Sequence, residues 1–171
     1  MLIVLGIISL VLWQIRVSAQ EVRVGDNIDA ETFSKAPEAS LEIVKAIQKD
    51  LIRERSIVII PDPEEARKLF HALPVTLGRE GERDFIVIGS FPYSGGDNDW
   101  FWVVRILPGG PKVVLWLGCL NFGFGKTRTN GLLNISNEWN SPNEEIDEKF
   151  RFNGQHYVRI AHRDKPMVWK H

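Results

Sequence analysis

Two neighbouring segments constrain this chain more than any other feature: Trp100 to Leu107 (WFWVVRIL) and Lys112 to Gly118 (KVVLWLG), separated only by Pro108-Gly109-Gly110-Pro111. Read as strands, successive side chains point to opposite faces. Trp100, Trp102, Val104 and Ile106 then share one face, and Phe101, Val103, Arg105 and Leu107 share the other. Both faces are largely apolar, and the second segment is apolar on both sides as well. Such a strand pair belongs in the middle of a covered sheet. One face needs a helix over it. The other needs a lid, a second sheet layer or a partner.

The cover for the first face is legible upstream. In PEASLEIVKAIQKDLIRER (37–55) the residues Leu41, Val44, Ile47, Gln48, Leu51 and Ile52 recur at helical spacing, with Glu42, Lys45, Lys49 and Arg53 on the opposite side. This is the pattern of an amphipathic helix, with Pro37 suited to its first turn. SIVII (56–60) reads as a short strand. PDPEEARKLFHAL (61–73) reads as a second helix, capped by Asp62, with Pro63 in its first turn and Glu65 completing a capping box, ending before Pro74 and carrying His71.

From Asp84 onward the signals are those of strands: DFIVIGS, the Trp-rich pair, FGKTRT, LLNISNEW, KFRF and QHYVRIA. Asn130-Gly131 and Asn153-Gly154 mark tight hairpins, because both residues of such a turn adopt positive φ at low cost. NEEIDEK (143–149) reads as a solvated loop after Pro142. The fold class expected is α+β, with two N-terminal helices packed on a mainly antiparallel, curved β-sheet.

The start of the chain is of another kind. Leu2 to Trp13 is an unbroken apolar run, shorter than the roughly 20 residues of a membrane span, and Val17-Ser18-Ala19 has the small residues of a signal-peptidase site. The expected organisation is a signal peptide over 1–19, an irregular arm over 20–36 and a single α+β domain over 37–171. The protein is then secreted or periplasmic, with no membrane span after cleavage; retention as an uncleaved anchor is the alternative. Without Arg16 the net charge of −1 becomes about −2. That balance speaks against a nucleic-acid partner, which calls for a basic patch. Cys119 is the only cysteine, so no internal disulfide forms, and its apolar setting predicts a buried, inert thiol.

Catalytic signatures are missing from the sequence. GFGKT (123–127) resembles the end of a phosphate loop, but position 120 is Leu rather than the Gly that loop requires; Gly123 and Gly125 instead mark a bulge or a close backbone approach. His156 and His162, on one face of a straight strand, would stand about 20 Å apart. No G-x-S-x-G, H-E-x-x-H or C-x-x-C occurs. Asn134-Ile135-Ser136 is a glycosylation sequon. The expectation is no catalytic residue, no metal and no cofactor.

The segment most open to a functional reading is YSGGDNDW (93–100). Two carboxylates and one amide fall short of the six to eight oxygens that calcium takes, so a turn feeding the Trp-rich strand is its ordinary reading. Its candidate contacts for a ligand or partner are Tyr93, Asp97, Asn98, Asp99, Trp100 and Trp102, with the tryptophans as a stacking platform.

Thr129-Asn130-Gly131, Ile135 and the hairpin from Phe150 to Tyr157 also resemble a loose set of small bacterial exported proteins that share a T-N-G-x-x-x-I segment and a closing F-x-F-(D/N)-G-x-x-Y hairpin. The resemblance covers 84–158 and implies fold and export; the set has no established activity, so it implies no catalytic residue. The expectation is therefore an exported, non-catalytic binding or interaction domain, such as an inhibitor or an envelope accessory protein, whose partner is another secreted or envelope protein. The alternative is a small secreted hydrolase acting on cell-wall or glycan substrates, drawing its carboxylates from Asp97, Asp99, Glu138, Glu144 or Glu145.

Overall fold

Strand periodicity, turn residues and one amphipathic helix organise the chain as expected, but into two sheets rather than one. The computed structural model describes residues 25–54, 61–79, 82–94, 98–141 and 143–166. The apolar leader, the SIVII segment, Asp97 and His171 lie outside the described residues.

Among the described residues, nine strands, β1 (Asn27–Ile28), β2 (Phe70–Val75), β3 (Asp84–Gly89), β4 (Asp99–Leu107), β5 (Gly110–Cys119), β6 (Asn121–Thr129), β7 (Leu132–Asn140), β8 (Glu144–Phe152) and β9 (Tyr157–Pro166), pair antiparallel throughout. The first sheet has the order β2-β3-β4-β5 and the second β1-β6-β7-β8-β9. The helix α1 (Leu41–Arg53) lies on the outer face of the first sheet, mainly over β5. The single curved sheet of the sequence reading is thus corrected: β4 and β5 face a second sheet on one side and α1 on the other, and each face has its own core.

Between the sheets, Ile86, Phe101, Val103, Leu115 and Leu117 face Phe122, Phe124, Ile135, Phe150 and Phe152. Phe101 meets Phe122 edge-on at 5.2 Å. On the helix side, Ile43, Val44, Ile47 and Leu51 pack on Phe70, Val87, Trp102 and Val104. The alternation expected for β4 holds. In β5 it is interrupted, because Val103 pairs with Leu115 and Val104 with Val113. The extra residue, Val114, is a bulge that sends two consecutive side chains, Val114 and Leu115, into the inter-sheet core.

Several elements differ from expectation. α1 starts after Ser40, whose hydroxyl accepts from the Ile43 amide, not at Pro37. Its buried stripe includes Ile43, while Ile52 is exposed. The second helix is one turn, α2 (Pro63–Ala66), followed by a 3-10 turn (Arg67–Leu69). Phe70 to Val75 is strand β2, so His71 is a strand residue. Pro74 is admitted because β2 is an edge strand, where a missing N–H breaks no ladder. NEEIDEK is most of β8, not a loop: its carboxylates pair across to Arg163 and Lys165 of β9. The expected arm contributes β1 and the buried Phe33.

Asn130 and Gly131 take φ of 49° and 87°, the tight hairpin expected. Asn153-Gly154 instead begins a four-residue loop between Phe152 and Tyr157. Only Gly154 has positive φ there, and the Asn153 side chain accepts from the amides of Gln155 and His156, both at 2.9 Å. Gly123 is a close backbone approach: a Cβ there would stand 3.1 Å from the Asn27 side chain. The β6–β7 register shifts between Phe124 and Arg128, next to Gly125. No helix among the described residues is long and apolar enough to cross a membrane.

Candidate binding groove

The YSGGDNDW segment does not assemble a ligand site among the described residues. Tyr93 is fully buried, its ring 4.7 Å from Phe70. A Cβ at Gly89 would fall 2.5 Å from the Tyr93 carbonyl oxygen, so only glycine allows that approach. Trp102 is also fully buried, edge-on to Phe70 at 5.6 Å, and its indole N–H has no acceptor. These two candidate contacts are core residues, corrected by the cover that α1 and the residues after β3 give their face. Asn98 ties β4 to the second sheet, its amide donating to Asn140 O at 3.2 Å and its carbonyl accepting from Asn140 N at 3.4 Å. Trp100 is half-buried and meets the partly exposed Trp116 edge-on at 5.4 Å.

Asp99 stands opposite Cys119 on the inter-sheet face, and burial alone raises its pKa. Burial pushes the Cys119 thiol far above its usual range, with Asp99 and Glu148 adding to the effect; the side chain is buried, as expected. On the facing sheet Glu148 is buried among polar neighbours. Arg159 donates to its Oε1, His162 Nδ1 lies 3.1 Å from the same oxygen, and Asn137 donates to Oε2 at 3.4 Å. His162 Nε2 is 2.7 Å from Asp164. Burial raises the Glu148 pKa, but these hydrogen bonds outweigh it and hold the carboxyl below its usual range. With both oxygens engaged, Glu148 anchors a structural network rather than a reacting group.

Glu138, Glu145 and Asp147 converge on the outer face of the second sheet. The chain fills that place with its own cation: Lys165 Nζ is 2.9 Å from both Glu145 and Asp147, and Arg163 is 2.9 Å from Asp147. Those hydrogen bonds lower the Asp147 pKa and raise that of Lys165.

A broader concavity lies elsewhere, at the end of the first sheet that α1 leaves uncovered. A helix of 13 residues is about 20 Å long, whereas the nine-residue β4 runs about 30 Å. The shortfall leaves a groove of about 980 Å³ below the first turn of α1. Its floor crosses all four strands: Pro74 beside Phe85, and Ile106 beside Pro111. Ile106 is 42% exposed at the end of the strand face that begins with Trp100. The rim carries Glu38, Glu42, Glu82 and Arg83. Sequence reasoning placed Ile106 on the correct face but missed the groove. The signal missed was Ser40, an N-cap residue that starts α1 after Pro37 and shortens it. No family model, curated protein or solved structure matches the chain.

Proposed function

We propose that this chain is an exported, non-catalytic binding domain that receives a partner in the groove beneath α1. The observation that carries the reading is the open apolar floor Pro74–Phe85–Ile106–Pro111, on a four-stranded sheet. Its volume lies at the upper end of the range of ligand sites, about 300–1,000 Å³. An inhibitor of another secreted protein and an envelope accessory factor would both use such a surface. The Leu2–Trp13 run with Val17-Ser18-Ala19 supports export. The competing reading, a small hydrolase, is less well supported: Glu148 is committed to its own hydrogen bonds, and Glu145 pairs with Lys165.

The test is site-specific photo-crosslinking from a benzoylphenylalanine placed at position 106 or, as control, at Lys149 on the far side of the second sheet. A discrete adduct formed in the secreted or envelope fraction from position 106 alone is the expected result. Equal labelling from both positions, or none from either, overturns the proposal.

A further inference from the structure

The groove's rim says what kind of segment its floor takes. Three carboxylates, Glu38, Glu42 and Glu82, face one guanidinium, Arg83, around a floor with no charged side chain. Glu38 reaches Arg67 only at 3.5 Å, with both groups exposed, and Glu82 shares Arg105 with the buried Asp84. Glu42 is exposed in the first turn of α1. An apolar floor inside an acidic rim complements a segment with apolar side chains in its middle and positive charge at its flanks. The four strands of the floor span about 14 Å, the reach of about four extended residues.

Resting on the reading of the groove as the binding surface, we infer that it recognises an extended polypeptide segment with apolar residues flanked by lysine or arginine. The apolar side chains lie over Phe85 and Ile106, and the basic flanks meet Glu42 and Glu38 on the α1 side and Glu82 on the other. An acidic flank on the helix side is repelled by Glu38 and Glu42, while Arg83, the rim's one positive group, turns a basic flank away from itself and toward the carboxylates. Affinity is then lowered by salt, because every charge pair lies at an exposed rim.

Fluorescence anisotropy tests this with three labelled hexapeptides: a Leu-Phe centre with lysine on both sides, the same centre with glutamate on both sides, and lysine flanks around a serine centre. The lysine-flanked apolar peptide is expected to bind about tenfold tighter than the glutamate-flanked one at low ionic strength, with the gap closing in 0.5 M salt as screening shortens to a few ångströms. The serine-centred peptide is expected not to bind. Glu38→Gln with Glu42→Gln should erase most of the tenfold preference, and Glu38→Lys with Glu42→Lys should reverse it, while the thermal midpoint stays within a few degrees because both side chains are exposed. Equal binding of the two charged apolar peptides, both abolished by Ile106→Glu, would overturn the charge inference and leave the groove standing. Absence of binding by all three, or binding untouched by Ile106→Glu, would remove the groove as well.

Discussion

Trp102 was a natural candidate for a stacking platform, and its position in the structure turns it into a measurable claim about stability. The side chain is wholly buried between α1 and the first sheet, in contact with Phe70 and Trp100 at ring separations of 5.6 and 6.3 Å. A Trp buries about 150–250 Å², worth roughly 4–6 kcal/mol at about 25 cal/mol per Å². Ala recovers part of that, so Trp102→Ala is expected to cost about 3–5 kcal/mol. For a domain of this size that lowers the thermal midpoint by about 10–15 °C. Trp102→Phe should cost far less than its volume change suggests. The indole N–H is buried without an acceptor, and removing such a group returns about 1–3 kcal/mol against the packing loss. Trp116→Ala, at a position 37% exposed, should cost about 1 kcal/mol. Urea titrations followed by circular dichroism read all three. A Trp102→Ala cost equal to that of Trp116→Ala, or a Trp102→Phe cost equal to that of Trp102→Ala, would refute the reasoning.

Three further outcomes follow from the buried polar groups. Arg105 Nε donates to the buried Asp84 at 3.0 Å, and Asp84 also accepts from the Leu77 amide. Arg105→Met leaves that buried carboxylate without its cation and should cost about 3–5 kcal/mol near neutral pH. Burial already raises the Asp84 pKa, so the loss grows as pH rises through the folded value and shrinks in acid, which urea titrations across pH 4 to 8 would show. Glu148 has the opposite sign. Its lowered folded pKa contributes stability above the ordinary glutamate range, lost as pH falls through the folded value; a stability gap between wild type and Glu148→Gln that is constant with pH would contradict this. Cys119 should be unreactive to Ellman's reagent in the native protein and react fully in urea, and rapid native labelling would disprove its burial.

Local signals carried much of the architecture. The β4 faces, the Pro-Gly-Gly-Pro turn and the Asn130-Gly131 hairpin all follow from rules that act within a few residues. What escaped is non-local. Nothing within FHALPV says that it edges a sheet and can therefore hold Pro74; its helix-like spacing was overridden by pairing with β3, nine to nineteen residues on. NEEIDEK looked like a solvated loop because its carboxylates find their cations only on β9. The Trp-rich loop drew attention by composition, yet Tyr93 and Trp102 are covered by α1 and its surroundings, while Ile106, at the unremarked end of the same strand, lies open. Which end of an apolar strand is left bare depends on where a helix about sixty residues upstream begins.

The lead-in to α1 has a structural duty of its own. Alongside β2, the Ala72 amide donates to Pro37 O at 2.9 Å, the Ala39 amide donates to Phe70 O at 2.8 Å, and Glu38 bridges His71. These few residues stand where a further strand would dock. A protease that clipped the chain just before α1 would strip that border from the first sheet and uncover a row of main-chain donors and acceptors, the usual seed for runaway strand-to-strand stacking between molecules.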